Sequence, residues 1–288
     1  MKPQITKGTA NSYYVCIEPA KGSFDLKLKE TWHYRDLIWL FARKSLVRRY
    51  KQTVLGPAWL VLAPLLTSIM HTIVFGTVAG MDTAGLPKIL FYLTGNGLWA
   101  FFSNVFSRCS VTFSENAHIF GKVYFPRLTV PVSNILLSGV EFLVEFLMVA
   151  ILCIWYTGHG YAFPFERWIF IPLLLVWTGI LAMGLGIIVS SLTTKYRDLN
   201  ILVTFGVRLW MYATPIVYPL STLSESHFRT LILINPVTAP AEIFRMIVVG
   251  VGKVPAASII GSLVFTVVSA LIGILVFNRI ERNFMDTI

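Results

Sequence analysis

The sequence predicts an all-α, polytopic membrane protein with six transmembrane helices. An N-terminal amphipathic interface helix precedes them, and a re-entrant external helical hairpin lies between helices five and six. Three observations support this. Six stretches, near 60–79, 89–111, 132–155, 168–192, 201–218 and 256–277, each approach the roughly 20 apolar residues needed to cross a bilayer. The chain is 56% hydrophobic and 13% charged, whereas soluble domains carry about 25% charged residues. Its basic residues also alternate between successive loops. Backbone at membrane depth must satisfy its own hydrogen bonds, so the six stretches are expected to be helices.

The N-terminal segment, 1–30, lacks an apolar core followed by a small-residue cleavage site, so the first span is expected to direct insertion. Eleven of the 24 Lys and Arg residues precede Pro57. Lys122, Arg127, Lys195 and Arg197 follow helices two and four, and Arg279 and Arg282 close the chain. The alternate loops hold only Lys88, Arg167, Arg229, Arg245 and Lys253, while Arg108 and Arg208 fall inside helices. Under the positive-inside rule this places both termini in the cytoplasm. The net charge of +10 then reflects topology and contact with anionic lipid. No basic domain stands apart from the membrane, which argues against nucleic acid as a partner.

The interface helix is expected within 31–55. Leu37, Ile38, Leu40, Phe41, Leu46 and Val47 recur near helical spacing, interleaved with basic residues. Such a helix lies in the interface plane. It is either a topology anchor or a trap for an anionic lipid head group. In the second reading Arg43, Lys44, Arg48, Arg49 and Lys51 form the substrate entrance, since guanidinium matches phosphate bidentately. Gly56-Pro57 turns the chain into the bilayer.

The loop after helix two, 114–126, carries Ile119, Phe120, Val123, Tyr124 and Phe125, which is too apolar for a solvated turn. It either docks a cytoplasmic partner or packs on the chain's own interface helix. On helix three, Glu141 and Glu145 share a face at i and i+4. Arg208 on helix five falls at similar depth. A Glu–Arg lock between the two helices is expected, with a proton relay or substrate contact as the other reading. The connection 219–255 alternates apolar runs with Asn235-Pro236 and Ala239-Pro240. That suits a re-entrant hairpin buried by protein.

Aromatic residues at helix ends, among them Trp32, Trp59, Trp99, Trp168 and Tyr218, read as an interfacial belt. Phe75, Phe205, Trp210 and Tyr212, on helices one and five, are candidates for sugar-stacking walls. Cys16, Cys109 and Cys153 are isolated, so neither a disulfide framework nor a metal site is suggested. There is no phosphate-binding loop, since Gly121-Lys122 and Gly252-Lys253 are both followed by Val. There is no H-E-x-x-H and no nucleophile elbow. The chain is therefore not expected to be an enzyme, and any driving energy must come from elsewhere.

At several points the sequence resembles the membrane subunit of polysaccharide-exporting ATP-binding-cassette transporters. Tyr50-Lys-Gln-Thr-Val-Leu-Gly-Pro-Ala-Trp59 with Pro64, and on to Phe75-Gly76, is similar to the start of that subunit. So are Gly95-x-Gly97-x-Trp99, Lys122-Val-Tyr-Phe-Pro-Arg127 with Pro131, Lys195-Tyr-Arg-Asp198, Asn235-Pro236 and the tail from Phe277 to Asp286. The likeness runs from about Arg35 to the end and leaves 1–30 outside. It implies that 31–288 is one permease domain of a homodimer in the bacterial inner membrane, paired with two copies of a cytoplasmic ATPase. ATP and magnesium would bind that ATPase, and no cofactor would bind this chain. The implied cargo is an undecaprenyl-pyrophosphate-linked polysaccharide such as O-antigen. The implied channel is lined by Trp59, Phe75, Phe205, Trp210 and Tyr212. Coupling to the ATPase falls to Asn116, Phe120, Lys122, Val123, Lys195 and Arg197. The alternatives are a drug or small-lipid exporter of the same superfamily, a membrane transferase using Glu141 or Glu145 as base, and a passive channel.

Overall fold

The computed structural model describes residues 3–7, 13–17 and 28–286, apart from 121, 124, 197 and 224–226. Tyr124 and Arg197 thus lie outside the described residues, as does the side chain of Lys195. Strands β1 (Pro3–Lys7) and β2 (Tyr13–Ile17) pair antiparallel with Ile5 opposite Val15. Sequence reading did not anticipate this hairpin. The remaining regular elements among the described residues are helices.

Helices α1 (Leu28–His33) and α2 (Arg35–Tyr50) lead to a short 3-10 turn, Gly56–Ala58. That turn opens α3 (Trp59–His71), which runs on into a π-helical stretch, Thr72–Val78. Then come α4 (Lys88–Ser110), α5 (Thr112–Phe120), α6 (Thr129–Thr157) and α7 (Ile171–Lys195), the last led in by Phe165–Phe170. The chain continues through α8 (Leu199–Tyr212), α9 (His227–Ile234), α10 (Thr238–Val249) and α11 (Ala256–Asp286).

Five helices among the described residues are long and apolar enough to cross a membrane: Gly56–Val78, Lys88–Ser110, Thr129–Thr157, Phe165–Thr194 and Ala256–Arg279. The predicted fifth span, 201–218, is shorter than expected. It forms α8, only 14 residues, or about 21 Å at 1.5 Å per residue. Pro215 explains the stop, because proline has no N–H and forces the preceding residue out of the helical region. Helices α9 and α10 meet at 85° around Asn235-Pro236, a geometry shared by a re-entrant pair and by a single broken span, which would then be the sixth crossing.

The core sits around α4, 78% of whose span is buried, against 11% for Gly56–Val78. Leu90, Phe91, Tyr92, Leu93 and Phe102 are fully enclosed. Small residues let helices touch. A Cβ on Gly186 of α7 would come within 2.6 Å of Cys109 Cβ on α4, and one on Gly184 within 3.0 Å of the α11 backbone. A second apolar cluster, Phe113, Phe120, Phe125, Leu128, Ile187 and Phe277, closes the end of the bundle where α2 and α5 lie.

Candidate functional site

Two buried charge clusters mark the two ends of the bundle. At the α2 end, a cavity of about 510 Å³ opens between α2, α5 and the adjoining ends of α4 and α6. Lys44, Arg48, Arg49 and Arg108 line it, opposed among its lining residues by one carboxylate, Glu115. Ser107, Ser133, Asn116 and Asn134 add neutral polar groups. Helix α2 builds one wall. Ile38 and Ala42 of α2 are buried, Phe41 packs on Phe125 at 5.6 Å, and Lys44, Arg48 and Arg49, on the following turns, line the cavity beside Phe41.

Glu141 lies behind this cavity and orients it. Nη2 of Arg108 donates to both Glu141 oxygens at 2.7 Å. Nη1 of Arg49 donates to Oε1 at 2.8 Å, and Asn104 Nδ2 to Oε2 at 3.2 Å. Arg108 Nη1 also donates to Ser138 at 2.6 Å. The lock expected with Arg208 is therefore corrected. Arg108 and Arg49 hold Glu141, and Arg208 is exposed on α8 beside Asn200, Thr204 and Phe205. Glu145 is buried one turn on, with Oε2 about 3.4 Å from where a Gly97 Cβ would sit. That Oε2 has no hydrogen-bond partner among the described residues.

The other cluster secures the broken end of α8. Arg245 is 1% exposed and stacks 4.3 Å from the Phe91 ring. It donates to Glu242 at 2.5 Å, to the Pro215 carbonyl at 2.8 Å and to the Ile216 carbonyl at 3.4 Å. Asn235 donates to the Ala213 carbonyl and to Thr214, each at 2.9 Å, and accepts from Trp210 Nε1 at 3.1 Å. These bonds replace the helical partners that the chain loses after Tyr212, as backbone at membrane depth requires. Gly95 makes room for them: a Cβ there would meet Ile216 O at 3.0 Å.

The remaining predicted residues divide. Arg43, Arg48 and Lys51 are exposed, and Arg49 is half exposed despite its bond to Glu141. Trp59, Phe205 and Tyr212 present exposed rings, and Phe75 lies 6.2 Å from Tyr212. Trp210 instead turns inward against Trp99, Phe102 and Phe106, so it is a packing residue rather than a wall. Phe120 is also corrected: it is buried between Phe113 and Phe125. The loop's apolar residues thus serve the chain's own core at this point. Lys122 and Val123 stay exposed, while Asn116 bonds the Thr112 carbonyl. Sequence reading missed Asn104, Arg108 and Ser138 in the Glu141 site. The available signal was a lone arginine inside helix two facing a lone acidic pair inside helix three.

The ABC-2 type transporter family model matches residues 36–249. The chain belongs to the ABC-2 type transporter family. It is a multi-pass membrane protein and the transport component of its system, and the family implies an ATP-binding component as its partner. Among similar proteins is the O-antigen export system permease protein RfbA of Klebsiella pneumoniae. It is 29% identical over 265 residues, covering 91% of this chain and 98% of that protein. RfbA of Myxococcus xanthus is 27% identical over 217 residues, 74% of this chain and 80% of that protein. The inner membrane transport permease YadH of Escherichia coli K12 is 23% identical over 244 residues, 83% and 91% of the two chains.

Proposed function

We propose that this chain is the permease subunit of an ATP-driven exporter of undecaprenyl-pyrophosphate-linked polysaccharide, O-antigen or a similar surface glycan. It would act in the bacterial inner membrane as a homodimer with two cytoplasmic ATPase copies, which bind the ATP and magnesium. The observation that carries this reading is the basic cavity beside the interface helix. Four cations, Lys44, Arg48, Arg49 and Arg108, line it. Guanidinium groups suit a diphosphate, and the lipid tail would stay in the bilayer alongside. The names of the Klebsiella and Myxococcus relatives point to the same cargo class.

The α2 end then faces the cytoplasm. ATPase closure would press on the exposed Lys122 and Val123 and on the Lys195–Arg197 connection. Tilting of α3 and α8 would follow, since α3 is the least buried span. Exposed Trp59, Phe205 and Tyr212 would offer the sliding polymer weak, repeated contacts. Weak contacts favour passage, because a tightly held segment would not leave.

Deleting the gene in its own host tests this. Cells should lose surface polysaccharide and accumulate lipid-linked polymer on the cytoplasmic side, and the intact gene should restore export. Unchanged surface polysaccharide in the deletion strain would refute the proposal.

A further inference from the structure

We propose that Arg49 and Glu141 form a ligand-released latch on the interface helix: a diphosphate entering the basic cavity takes Arg49 from Glu141 and frees the C-terminal half of α2. This inference rests on the diphosphate reading of the cavity and adds what binding does to the protein.

The two halves of α2 are held differently. Ile38 and Ala42 are buried, and Leu37 and Phe41 pack on the cluster around Phe125, which fixes the first half by apolar burial. From Arg43 onward the helix is mostly exposed, and the bond from Arg49 to Glu141 ties its end to α6. Beyond Tyr50 the chain is jointed. Lys51 is extended, Gln52 takes a φ of +66° and Gly56 a φ of +52°. A non-glycine residue in that region stores strain. The linking residues 51–55 are all exposed, and Val54 makes no burying contact at all. The geometry therefore gives α2 an apolar root, one ion pair to α6 among the described residues and a loose joint.

The tie is also the one bond that Glu141 can lose cheaply. Arg108 donates to both of its oxygens, is itself held by Ser138, and is only 19% exposed. Arg49 gives one bond and is 53% exposed. With Arg49 gone, Glu141 keeps Arg108 and Asn104, so no buried carboxylate is stranded. Arg49 already lines the cavity next to Arg48 and Lys44. Transferring its Nη1 to a phosphate oxygen exchanges one charge-assisted hydrogen bond for another. A ligand shifts a conformational equilibrium only by binding one state better. Here the released state offers Arg49 to the ligand and the latched state offers it to Glu141.

Spin labels at Val47→Cys on α2 and Leu143→Cys on α6, with the native cysteines replaced, read the latch in the full-length chain bound to its ATPase in nanodiscs. Both label sites are exposed. A short-chain prenyl diphosphate should shift the label pair to a longer distance. Nanodiscs of phosphatidylglycerol alone should leave the short distance. Inorganic pyrophosphate should act the same way as the prenyl compound but only at higher concentration. Equal potency of the two would place the ligand in solution and overturn the lipid source. Arg49→Gln and Glu141→Gln should each show the long distance without ligand, and Arg49→Lys should stay short. Two variants at opposite ends of the pair guard against one failing to fold. Glu141→Gln should also bind the prenyl diphosphate several-fold more tightly, since Arg49 no longer has to leave a carboxylate. A wild-type complex that binds the probe at an unchanged label distance would overturn the latch alone. One that fails to bind the probe would overturn the diphosphate reading itself.

Discussion

Each end of this bundle holds an arginine on a buried glutamate, but the two sites are built to opposite purposes. Arg245 is enclosed, spans Glu242 and two backbone carbonyls, and lies against an aromatic face. Glu141 at the other end is shared by two arginines from different helices, one of them half exposed and facing a cavity. In the first site Arg245 serves carbonyls of the non-helical chain just past α8, which ends after 14 residues, and it does so fully enclosed. In the second, one bond is redundant. Redundancy is what allows a charge pair to exchange partners, and enclosure is what forbids it.

A graded set of substitutions sharpens this comparison, read as the melting temperature of the full-length protein in one detergent. Arg245→Met should have the largest effect. It removes the counter-charge of buried Glu242, which keeps only the backbone donors of Leu220 and Lys253, and takes a donor from the Pro215 carbonyl; removing one partner of a buried pair costs about 3–5 kcal/mol. Arg108→Gln should cost less, about 1.5–3 kcal/mol, the range for a hydrogen bond to a charged group, because Arg49 and Asn104 remain on Glu141. Arg49→Gln should cost roughly 0–1 kcal/mol, as for a solvent-screened pair. Arg208→Ala should leave the melting temperature unchanged. A fall for Arg49→Gln as large as that for Arg245→Met would erase the distinction between the two ends. A clear loss from Arg208→Ala would revive a lock between α6 and α8.

Much of the architecture was legible because bilayer physics constrains it so tightly. Apolar length located five of the six expected spans, and interleaved charge located α2. Asn235-Pro236 marked the bend between α9 and α10. Rotation of a helix about its own axis was not legible. Glu141 and Arg208 fall at similar depth, yet only the packing of α4 against α6 decides that Arg108 is the partner. Trp210 and Phe120 failed for a related reason. An aromatic residue on an apolar helix fits a core, a belt or a channel wall equally well until its neighbours are known. Glu242 and Arg245, at i and i+3, carry the spacing of a pair, but in sequence Arg245 is equally a loop charge on the external side. The β1–β2 hairpin had β-branched and aromatic residues at Ile5, Thr6, Tyr13, Tyr14 and Val15, a signal overshadowed by the membrane spans that follow.

Whether the basic cavity recognises the cargo's phosphates is tested most directly by export itself. Surface polysaccharide should be measured in deletion cells carrying the wild type, Arg48→Ala with Arg49→Ala, or Lys at both positions, at matched membrane levels and equal association with the ATPase. The double-alanine protein should export little. The double-lysine protein should recover only part, because ammonium supplies charge without the planar fork that matches phosphate. Full export by the double-alanine protein would contradict the assignment of the cavity to substrate, and full rescue by lysine would reduce α2 to a basic anchor.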